Sequence, residues 1–408
     1  MLLVSEKEYA DLSVNKLKKY RLKKRILRLL YKYDGLSSPE ISKHLHVSVP
    51  TIITLLNELI SSNYIESKGT GKSKGGRKPH IYGLAKDSLY AIACDMGRYS
   101  TRMTIFNSHN EQVTPIKNIE TSIDDPELEN KLFHAAEQLT DEYNIPYDKI
   151  FGIGVDMPGL VDSKLGYNYT IKDKNKQYIK ERLFTKFHKL VYIDNDARMQ
   201  AFGEYTFGKA KGKNNAIVIN WNWGIGLGMI LNGRLYRGTT GFAGELSHIK
   251  MVEDGTLCIC GKKGCLETIA SANALLAYAK EGIHDRVVSQ LNSILSEKNK
   301  ELTVEDIISA AKAGDEFSIS ILSKVGIALG KGLSYIIQLM NPEIIVLGGS
   351  LARANQFVLT PIQQSINKYC LEKISSNSEI VISDLSEKSG LLGVNATMYQ
   401  KIFSDMIT

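Results

Sequence analysis

The sequence has few cysteines and prolines, five and nine in 408 residues, and its longest apolar run is too short to span a bilayer. That run, 216–231, also contains two asparagines and three glycines. Acidic residues occur before any apolar stretch of signal-peptide length, so nothing in the sequence predicts secretion. With 43% hydrophobic residues the chain is neither collagen-like nor disordered. We therefore expect a cytoplasmic protein with a sizeable core and no membrane partner.

Charge is unevenly distributed along the chain. The formal net charge is +7, but residues 1–86 hold 17 Lys and Arg against 7 Asp and Glu, a net of +10. The remaining residues, 87–408, hold 34 against 37, a net of −3. A basic segment joined to a slightly acidic remainder is typical of a small polyanion-binding module attached to a larger soluble body. The alternative is a lysine-rich face that only meets solvent.

Apolar spacing predicts three helices in the basic segment. Between residues 16 and 33, apolar positions recur at helical spacing with basic residues between them. A short helix, 38–45, has serine before it and proline in its first turn. After a tight connection, a third helix covers 49–61. A helix, a short helix, a turn and a longer helix, in this order, predict a helix-turn-helix.

Two strand-like segments, 64–67 and 81–84, follow the third helix. The loop between them is glycine-rich and holds five basic residues, which is typical of a β-hairpin wing that follows DNA phosphates. A flexible linker with incidental charge is the alternative. We predict that the third helix faces the bases of double-stranded DNA and that the wing faces its backbone. The predicted base-facing residues are Val49, Pro50, Thr51, Thr54 and Asn57, and the predicted backbone contacts are Lys68, Lys72, Lys74, Arg77 and Lys78.

From residue 87 the pattern is that of an α/β protein. Short apolar segments predict buried strands, with helical stretches between them. One of these strands ends at Asn195 and Asp196, and ligands of open α/β sheets bind at the carboxyl ends of strands. Amides and carboxylates grouped there suit a ligand with many hydroxyls, although each residue alone could be a cap or turn residue. The predicted strands are 90–94, 150–155, 190–193, 216–220 and 344–347.

Three of the five cysteines, Cys258, Cys260 and Cys265, lie within eight residues, and His248 precedes them. Three thiolates and an imidazole satisfy a tetrahedral zinc ion, and glycines in the loop let it wrap around one centre. Such a closed set leaves no position for an activated water, so we expect one structural Zn²⁺ per chain. Coincidence and a redox site are the alternatives. A metal there would also bring together two glutamates that flank the cysteine knot.

Several short motifs are spread over most of the chain: Asp95-Met96-Gly97, Gly152 to Asp162, Asn195-Asp196-Ala197 with Gly203-Glu204, Gly241 to His248, and the cysteine knot through Glu267. Together these motifs resemble the ROK family of sugar kinases and repressors. The resemblance covers nearly the whole chain, and the basic head with its Gly-Gly-Arg-Lys-Pro loop resembles the repressor branch, whose members respond to sugars.

The resemblance implies an α/β fold: a two-lobed body, actin-like and hexokinase-like, preceded by an α+β winged helix-turn-helix domain. It implies a DNA-binding domain at 1–86, a first lobe at 87–212 completed by the C-terminal helix 388–408, and a second lobe at 213–387. In the kinase branch Asp196 would be the general base. The implied sugar contacts are Asn195, Asp196, Glu245, His248 and Glu267, and the implied zinc ligands are His248, Cys258, Cys260 and Cys265.

The sequence also departs from the kinases of that family. Where they have a second Gly and a Thr in the first phosphate loop, this chain has Arg98 and Tyr99. In the second phosphate loop Trp223 replaces a small hydroxyl residue. These side chains fill space that phosphates need, so we expect no catalytic residue and no enzyme activity. In the implied sugar site Ser247 and Arg198 replace the usual Gly and Asn, which would alter the sugar accepted or add a cation for a phosphorylated or acidic one.

The leading interpretation is a transcriptional repressor of carbohydrate genes whose operator affinity is controlled by a sugar or sugar phosphate. A helix-turn-helix protein usually pairs across two half-sites, so a homodimer or tetramer is expected. One alternative is an ATP-dependent ROK sugar kinase that keeps a DNA-binding head. Another is a sugar-binding scaffold whose head contacts RNA or acidic protein. The recognition face has no aromatic residues, which argues against single-stranded nucleic acid.

Overall fold

The computed structural model describes residues 13–71, 78–171, 178–298 and 301–403. Within these ranges the chain forms two compact units. One unit holds the chain up to Gly159, Ser163–Asp194 and the part from Val394 onward, and the other holds Leu160–Asp162 and Asn195–Gly393. The domain limits expected from the sequence stay predictions.

The basic head has three helices, α1 (Val14–Tyr33), α2 (Ser38–Leu45) and α3 (Val49–Ser61). A capping box begins α2, where the Glu40 carboxylate accepts the backbone N–H of the residue before the helix, Ser37, at 2.8 Å. The order and length of these helices agree with the helix-turn-helix prediction. Apolar residues on their facing sides form the core of the head: Ile26, Leu27, Leu30, Ile41, Leu45, Ile52, Leu55, Leu56 and Leu59.

A three-stranded sheet completes the head, in the order β1 (Leu36–Ser37), β3 (His80–Leu84) and β2 (Ile65–Thr70). Strands β2 and β3 are antiparallel, and the buried residues Ile65 and Leu84 lie opposite each other at the base of the hairpin. Buried apolar residues at the base and exposed polar residues toward the tip are what a wing that packs at one end requires. The two strand-like segments of the sequence therefore form the predicted hairpin.

The body part of the first unit contains a five-stranded sheet in the order β10-β7-β4-β5-β6. β4 runs parallel to β7 and antiparallel to β5. Every residue of β7 is buried, so its continuous apolar pattern is that of a central strand. The strands are β4 (Tyr90–Met96), β5 (Thr101–Asn107), β6 (Lys117–Ile119), β7 (Ile150–Met157) and β10 (Leu190–Asn195), with helices α4 (Leu128–Glu142) and α5 (Ile179–Phe187). Two short strands, β8 (Val161–Asp162) and β9 (Tyr167–Asn168), lie between β7 and β10 in the sequence.

The second unit contains another five-stranded sheet, in the order β13-β12-β11-β14-β15. β11 and β14 are parallel, and β12 is antiparallel to β11. The strands are β11 (Ala216–Trp221), β12 (Ile225–Leu231), β13 (Arg234–Tyr236), β14 (Ile344–Gly348) and β15 (Glu379–Ile382). The helices are α6 (Asp196–Phe207), α7 (Glu267–Ala270), α8 (Ala272–His284), α9 (Leu291–Lys298), α10 (Val304–Lys312), α11 (Glu316–Met340), α12 (Gln356–Tyr369) and α13 (Glu372–Ser375).

Helix α11 is long and apolar enough to cross a membrane by length and composition alone. Half of its apolar window is buried inside the protein, as in the core helix of a globular domain. Leu322, Val325, Leu329 and Leu333, spaced at helical intervals, have no exposed surface. Packing within the second unit therefore accounts for the apolar composition of this helix.

The last helix, α14 (Ser389–Ile402), contributes its first residues to the second unit and the rest to the first. Its backbone lies directly against the backbone of α6 at Gly393. A Cβ at this position would collide with the Met199 carbonyl oxygen. Further along, Met398 fills the space beside β7 that a side chain on Gly154 would need. Small residues at these two crossings allow the close packing that protein interiors require.

Tyr31 of α1 anchors the basic head to α14 within the first unit. Its hydroxyl donates to Asn110 Oδ1 at 2.6 Å, and the amide of Asn395 donates to the same oxygen at 2.7 Å. The Tyr31 ring stacks on Tyr399, with the ring centroids 5.2 Å apart. Burial raises the pKa of Tyr31, so the hydroxyl remains a neutral donor. The Tyr31 hydrogen bond and the aromatic stack thus help to hold the head, together with hydrogen bonds from Ser108 and His109 to the carbonyls of Ala85 and Leu84.

Replacing Tyr31 by Phe should lower the free energy of unfolding of the first unit by about 1 kcal/mol, because one partly buried hydrogen bond is lost. The matched control is Tyr33→Phe, two residues along the same helix, where the ring is 42% exposed and a change within about 0.5 kcal/mol is expected. Urea denaturation of the full chain gives both values. An equal loss in the two variants would contradict the anchoring role of Tyr31.

Candidate functional site

The end of β10 and the start of α6 place two polar side chains of the second unit side by side. Asn195 is the N-cap of α6, and its side-chain oxygen accepts the backbone N–H of Arg198 at 3.2 Å. Asp196 is the first residue of the helix, where the helix dipole favours a negative charge. One carboxylate oxygen of Asp196 accepts the side-chain amide of Asn220 at 3.1 Å. The predicted carboxylate is therefore held in a defined orientation.

A chain of amide side chains continues from Asp196 to the turn after β14. The side-chain nitrogen of Asn222 donates to the side-chain oxygen of Asn220 at 2.6 Å. The other end of the Asn222 amide, its oxygen, accepts the backbone N–H of Ser350 at 2.6 Å. These bonds join the predicted second phosphate loop to the turn after β14. The N–H group of Ser350, a donor of the kind that binds phosphate oxygens, is thus already used by a side chain.

The cysteine knot is a compact loop held by backbone hydrogen bonds. The N–H of Cys258 donates to Lys262 O at 2.8 Å, and that of Met251 donates to Gly264 O at 2.7 Å. Gly264 has φ of 76°, and a Cβ there would collide with the Val252 carbonyl oxygen, so only glycine fits. The glycine noted in the sequence is therefore what allows the chain to turn back.

The four predicted metal ligands come together as expected from their spacing. One ligand atom from each of His248, Cys258, Cys260 and Cys265 lies within 4.8 Å of the other three. Two sulfurs bound at about 2.3 Å to one tetrahedral ion lie about 3.8 Å apart. The sulfurs of Cys260 and Cys265 are 3.6 Å apart, which fits that geometry. The donor set can hold a metal ion and is consistent with zinc.

The two nitrogens of His248 face different groups. Nδ1 is 3.5 Å from the Cys258 sulfur and 3.9 Å from a carboxylate oxygen of Glu267. Nε2 is 3.9 Å from a carboxylate oxygen of Glu245. The imidazole therefore lies between Glu245 on one side and Cys258 with Glu267 on the other. Partial burial raises the pKa of Glu245, and the nearby positive charge of Arg198 offsets only part of this rise.

Glu267 also lies beside the second predicted phosphate loop. Its carboxylate oxygen is 3.3 Å from the position that a Cβ on Gly224 would take. Two bonds hold this part of the chain, from Trp221 Nε1 to Ala270 O at 2.6 Å and from the Ala272 N–H to Asn222 O at 2.9 Å. The second unit thus holds all five predicted sugar-contact residues, and each of them has a defined neighbour.

The altered phosphate loops carry exposed bulky side chains. Trp223 is 45% exposed in the second unit, and Tyr99 is 71% exposed in the first. The guanidinium of Arg98 lies over the Tyr99 ring, 5.5 Å from its centroid. Asp95, in the Asp-x-Gly motif, forms an ion pair with Arg102 on the neighbouring strand.

On the head, the predicted base-facing residues lie along the outer side of α3. Pro50, Thr51, Thr54 and Asn57 are exposed, and Val49 is half-buried. The Thr54 hydroxyl donates to the Pro50 carbonyl within the helix at 3.1 Å. None of these five residues is charged, and four of them are exposed, so this face of α3 is accessible to a partner.

The predicted backbone contacts of the wing are only partly described. Lys72, Lys74 and Arg77 lie outside the described residues. Lys78 is exposed, whereas the Lys68 ammonium is bound to Asp34, 2.5 Å from its carboxylate and 3.0 Å from its carbonyl. A contact of Lys68 with phosphate would have to compete with these bonds.

Two lysines of α1 are additional candidates that the sequence analysis did not name. Lys18 and Lys19 line an open groove of 480 Å³ together with Thr51 and Thr54. Lys19 also pairs with Glu58 of α3 at 2.5 Å. Hydrogen bonds from Lys19 and from Lys23 lower the pKa of Glu58. The charge run on α1 was visible in the sequence, but its position beside the third helix depends on how the helices pack.

Comparison with known proteins agrees with this geometry. The model of the ROK family matches residues 91–401, and a model described as winged helix-turn-helix DNA-binding matches residues 21–66. The chain belongs to the ROK family. The sugar-kinase-like α/β body with a winged head, predicted from the sequence motifs, is therefore confirmed.

Relatives of this ROK protein include both regulators and kinases. A xylose repressor of Caldicellulosiruptor bescii is 30% identical over 390 residues, which cover 94% of this chain and 95% of the relative. A glucokinase of Halalkalibacterium halodurans is 34% identical over 247 residues, which cover 60% of this chain and 74% of the relative. The solved structure of a ROK family transcriptional regulator, described as a homologue of the Escherichia coli MLC protein, matches with a TM-score of 0.79 and 25% identity, covering 94% of this chain and 97% of that one.

Replacing Cys260 by Ser should remove the metal from the purified protein, because the ion would lose one of its three sulfur ligands. Cys370→Ser is the matched control, since this half-buried thiol donates to the Ser334 carbonyl and lies outside the ligand cluster. Elemental analysis of both variants and of the wild type measures metal per chain. Full metal content in the Cys260 variant would show that the cluster is not the site.

Proposed function

We propose that this ROK protein is a sugar-responsive transcriptional repressor that binds operator DNA through its winged head. The observation that carries the proposal is a helix-turn-helix with an exposed outer face on α3, in the same chain as a second unit that contains Asp196, Glu245 and Glu267. The xylose repressor, which matches this chain over nearly its full length, supports the same combination of functions. The test is salt-dependent binding to DNA upstream of its own or neighbouring genes, compared with random duplex of equal length.

The basic head supplies two kinds of contact to DNA. Polar side chains on the outer face of α3 can form hydrogen bonds to base edges, and an amide such as Asn57 matches adenine in the major groove. Lysines of α1 and of the wing, including Lys18 and Lys78, would neutralise phosphates without reading sequence. We infer that a dimer or tetramer presents two such heads to two half-sites, as is usual for this motif. We infer from operator binding that the protein acts in the cytoplasm.

Replacing Asn57 by Ala should weaken binding to the specific operator by about 1–3 kcal/mol while leaving random-sequence binding unchanged, because a base contact is lost. Replacing Lys78 by Ala should weaken binding to both duplexes and reduce the salt slope by about one. Lys312→Ala, at an exposed position on α10 of the second unit, is the control and should change neither value. Fluorescence anisotropy at several salt concentrations measures all three. An equal effect of Asn57→Ala on both duplexes would contradict the assignment of α3.

The proposed sugar contacts are Asn195, Asp196, Glu245, His248 and Glu267. Carboxylate oxygens accept hydrogen bonds from sugar hydroxyls, and a neutral imidazole nitrogen or an amide can accept or donate one. The ion held by the knot, which we propose is Zn²⁺, has a structural role: it orients His248 toward Glu245. The sugar changes DNA affinity only if it binds the arrangement that releases DNA more tightly than the arrangement that binds DNA.

Replacing Asp196 by Ala should leave DNA binding without sugar largely unchanged and abolish at least nine-tenths of the sugar response, since the carboxylate that would receive sugar hydroxyls is gone. Asp384→Ala is the matched control, because this exposed carboxylate pairs only with Lys209 among the described residues. DNA release is titrated with xylose, glucose and N-acetylglucosamine. A normal response of the Asp196 variant would remove this residue from the site.

A kinase is the second candidate function, because Asp196 is present and the glucokinase of Halalkalibacterium halodurans matches the body of this chain. Two features of the second phosphate loop favour the regulator. Trp223 stands where the kinases have a small hydroxyl residue, and the amide of Asn222 occupies the Ser350 N–H group. We therefore propose that the body binds sugar without phosphorylating it. Sugar-dependent ADP release at about 1 per second or faster, an ordinary enzyme rate, would contradict this.

A further inference from the structure

Arg198 occupies a position where a positive charge is unfavourable. It lies in the first turn of α6, where the helix dipole is positive and repels positive charge. Only 4% of its surface is exposed, so its guanidinium has lost most of its water. A buried cation at a helix N-terminus must be compensated by strong hydrogen bonds, so its partners indicate why it is there.

The two terminal nitrogens of Arg198 donate to backbone carbonyls of two separate segments. One donates to Gly241 O, in the loop that leads to Glu245 and His248. The other donates to Val161 O at 2.7 Å. Val161 belongs to the short stretch Leu160–Asp162, which groups with the second unit although its sequence neighbours on both sides belong to the first. Arg198 is therefore a clasp that holds two backbone segments next to the helix that begins with Asp196.

The charges around this clasp are mainly negative. The Arg198 charge acts on the Glu245 carboxyl, and the negative charge of Glu267 acts on the same group. Asp196 lies two residues before Arg198 on the same helical turn. A phosphate group at this site would be repelled by these three carboxylates, and the guanidinium that could offset this repulsion is already bound to two carbonyls. A neutral sugar meets no such repulsion, because the carboxylates accept its hydroxyls.

We propose that Arg198 is a positioning residue of the ligand site, clasping the Val161 and Gly241 carbonyls, and that the site consequently takes an uncharged sugar and discriminates against its phosphate ester. The inference rests on the proposed function, since it names the chemical class of that effector. It also assigns a role to the cation that replaces the usual Asn of the ROK kinases: the guanidinium shapes the site through its hydrogen bonds and does not bind an anion.

Isothermal titration of the full-length, metal-loaded wild type tests the charge preference without any substitution. The probes are xylose, glucose and N-acetylglucosamine, together with the 6-phosphates of the last two. We expect the best neutral sugar to bind at least about tenfold more tightly than either phosphate, a difference of about 1.4 kcal/mol. Tighter binding of a sugar phosphate than of its parent sugar would overturn the inference while leaving a sugar-responsive regulator intact.

Two variants separate a clasp from an anion ligand. Arg198→Lys keeps the charge but cannot span two carbonyls as a planar fork does, and Arg198→Met removes both charge and donors. If Arg198 acts as a clasp, both variants should bind the neutral sugar at least about tenfold more weakly, while DNA binding and metal content stay at wild-type levels. If Arg198→Lys keeps wild-type affinity for the neutral sugar, charge alone is sufficient and the clasp is wrong.

Failure of the proposed function gives a different result from failure of this inference. If the wild type binds operator DNA but none of the five probes, the sugar-effector part of the proposed function is contradicted, and the inference falls with it. If a neutral sugar binds and both variants bind it equally well, only the role of Arg198 is overturned.

Discussion

The close approach of α14 to α6 is the constraint on which the rest of the ROK body depends. Two helices can pack at backbone distance only where neither carries a side chain, and Gly203 and Gly393 provide that space. The same α6 begins with the capping Asn195 and with Asp196, so the crossing determines where these side chains lie. The later residues of α14 pack beneath β7 and end in the aromatic stack with Tyr31. One helix thus contacts both α6, which begins with the proposed ligand residues, and the winged head.

Local sequence patterns predicted most of the elements that carry function. The third helix of the head was expected at 49–61 and is found at Val49–Ser61, because its apolar stripe and its proline at the start are strong local signals. The cluster of possible metal ligands was also predictable, since three thiols within eight residues of a glycine-containing loop lie close together in most conformations. In these cases the residues that decide the structure are near each other in the chain.

Features that depend on distant packing were not predicted. Strand β12 was missed because Gly226 and Gly228 interrupt its apolar pattern, and glycine weakens a strand signal. The structure explains them: a Cβ at either position would press against Ala197 or Ala201 of α6. The pairing of Lys68 with Asp34 was also missed, because 34 residues separate them in the chain and only the folded head brings them together. The amide chain through Asn220 and Asn222 likewise joins residues far from Ser350 in sequence.

The uneven charge of the chain follows from the opposite demands of its two ligands. Phosphates of DNA require an excess of cations, which the head supplies. Hydroxyls of a sugar are best received by carboxylates, and an additional exposed cation among them would attract anions instead. Arg198, close to Asp196 in the chain, is buried and bound to carbonyls, so the proposed site keeps an acceptor character. The separation of +10 and −3 along the chain therefore agrees with an anion-binding surface in the head and a proposed hydroxyl-binding site in the body.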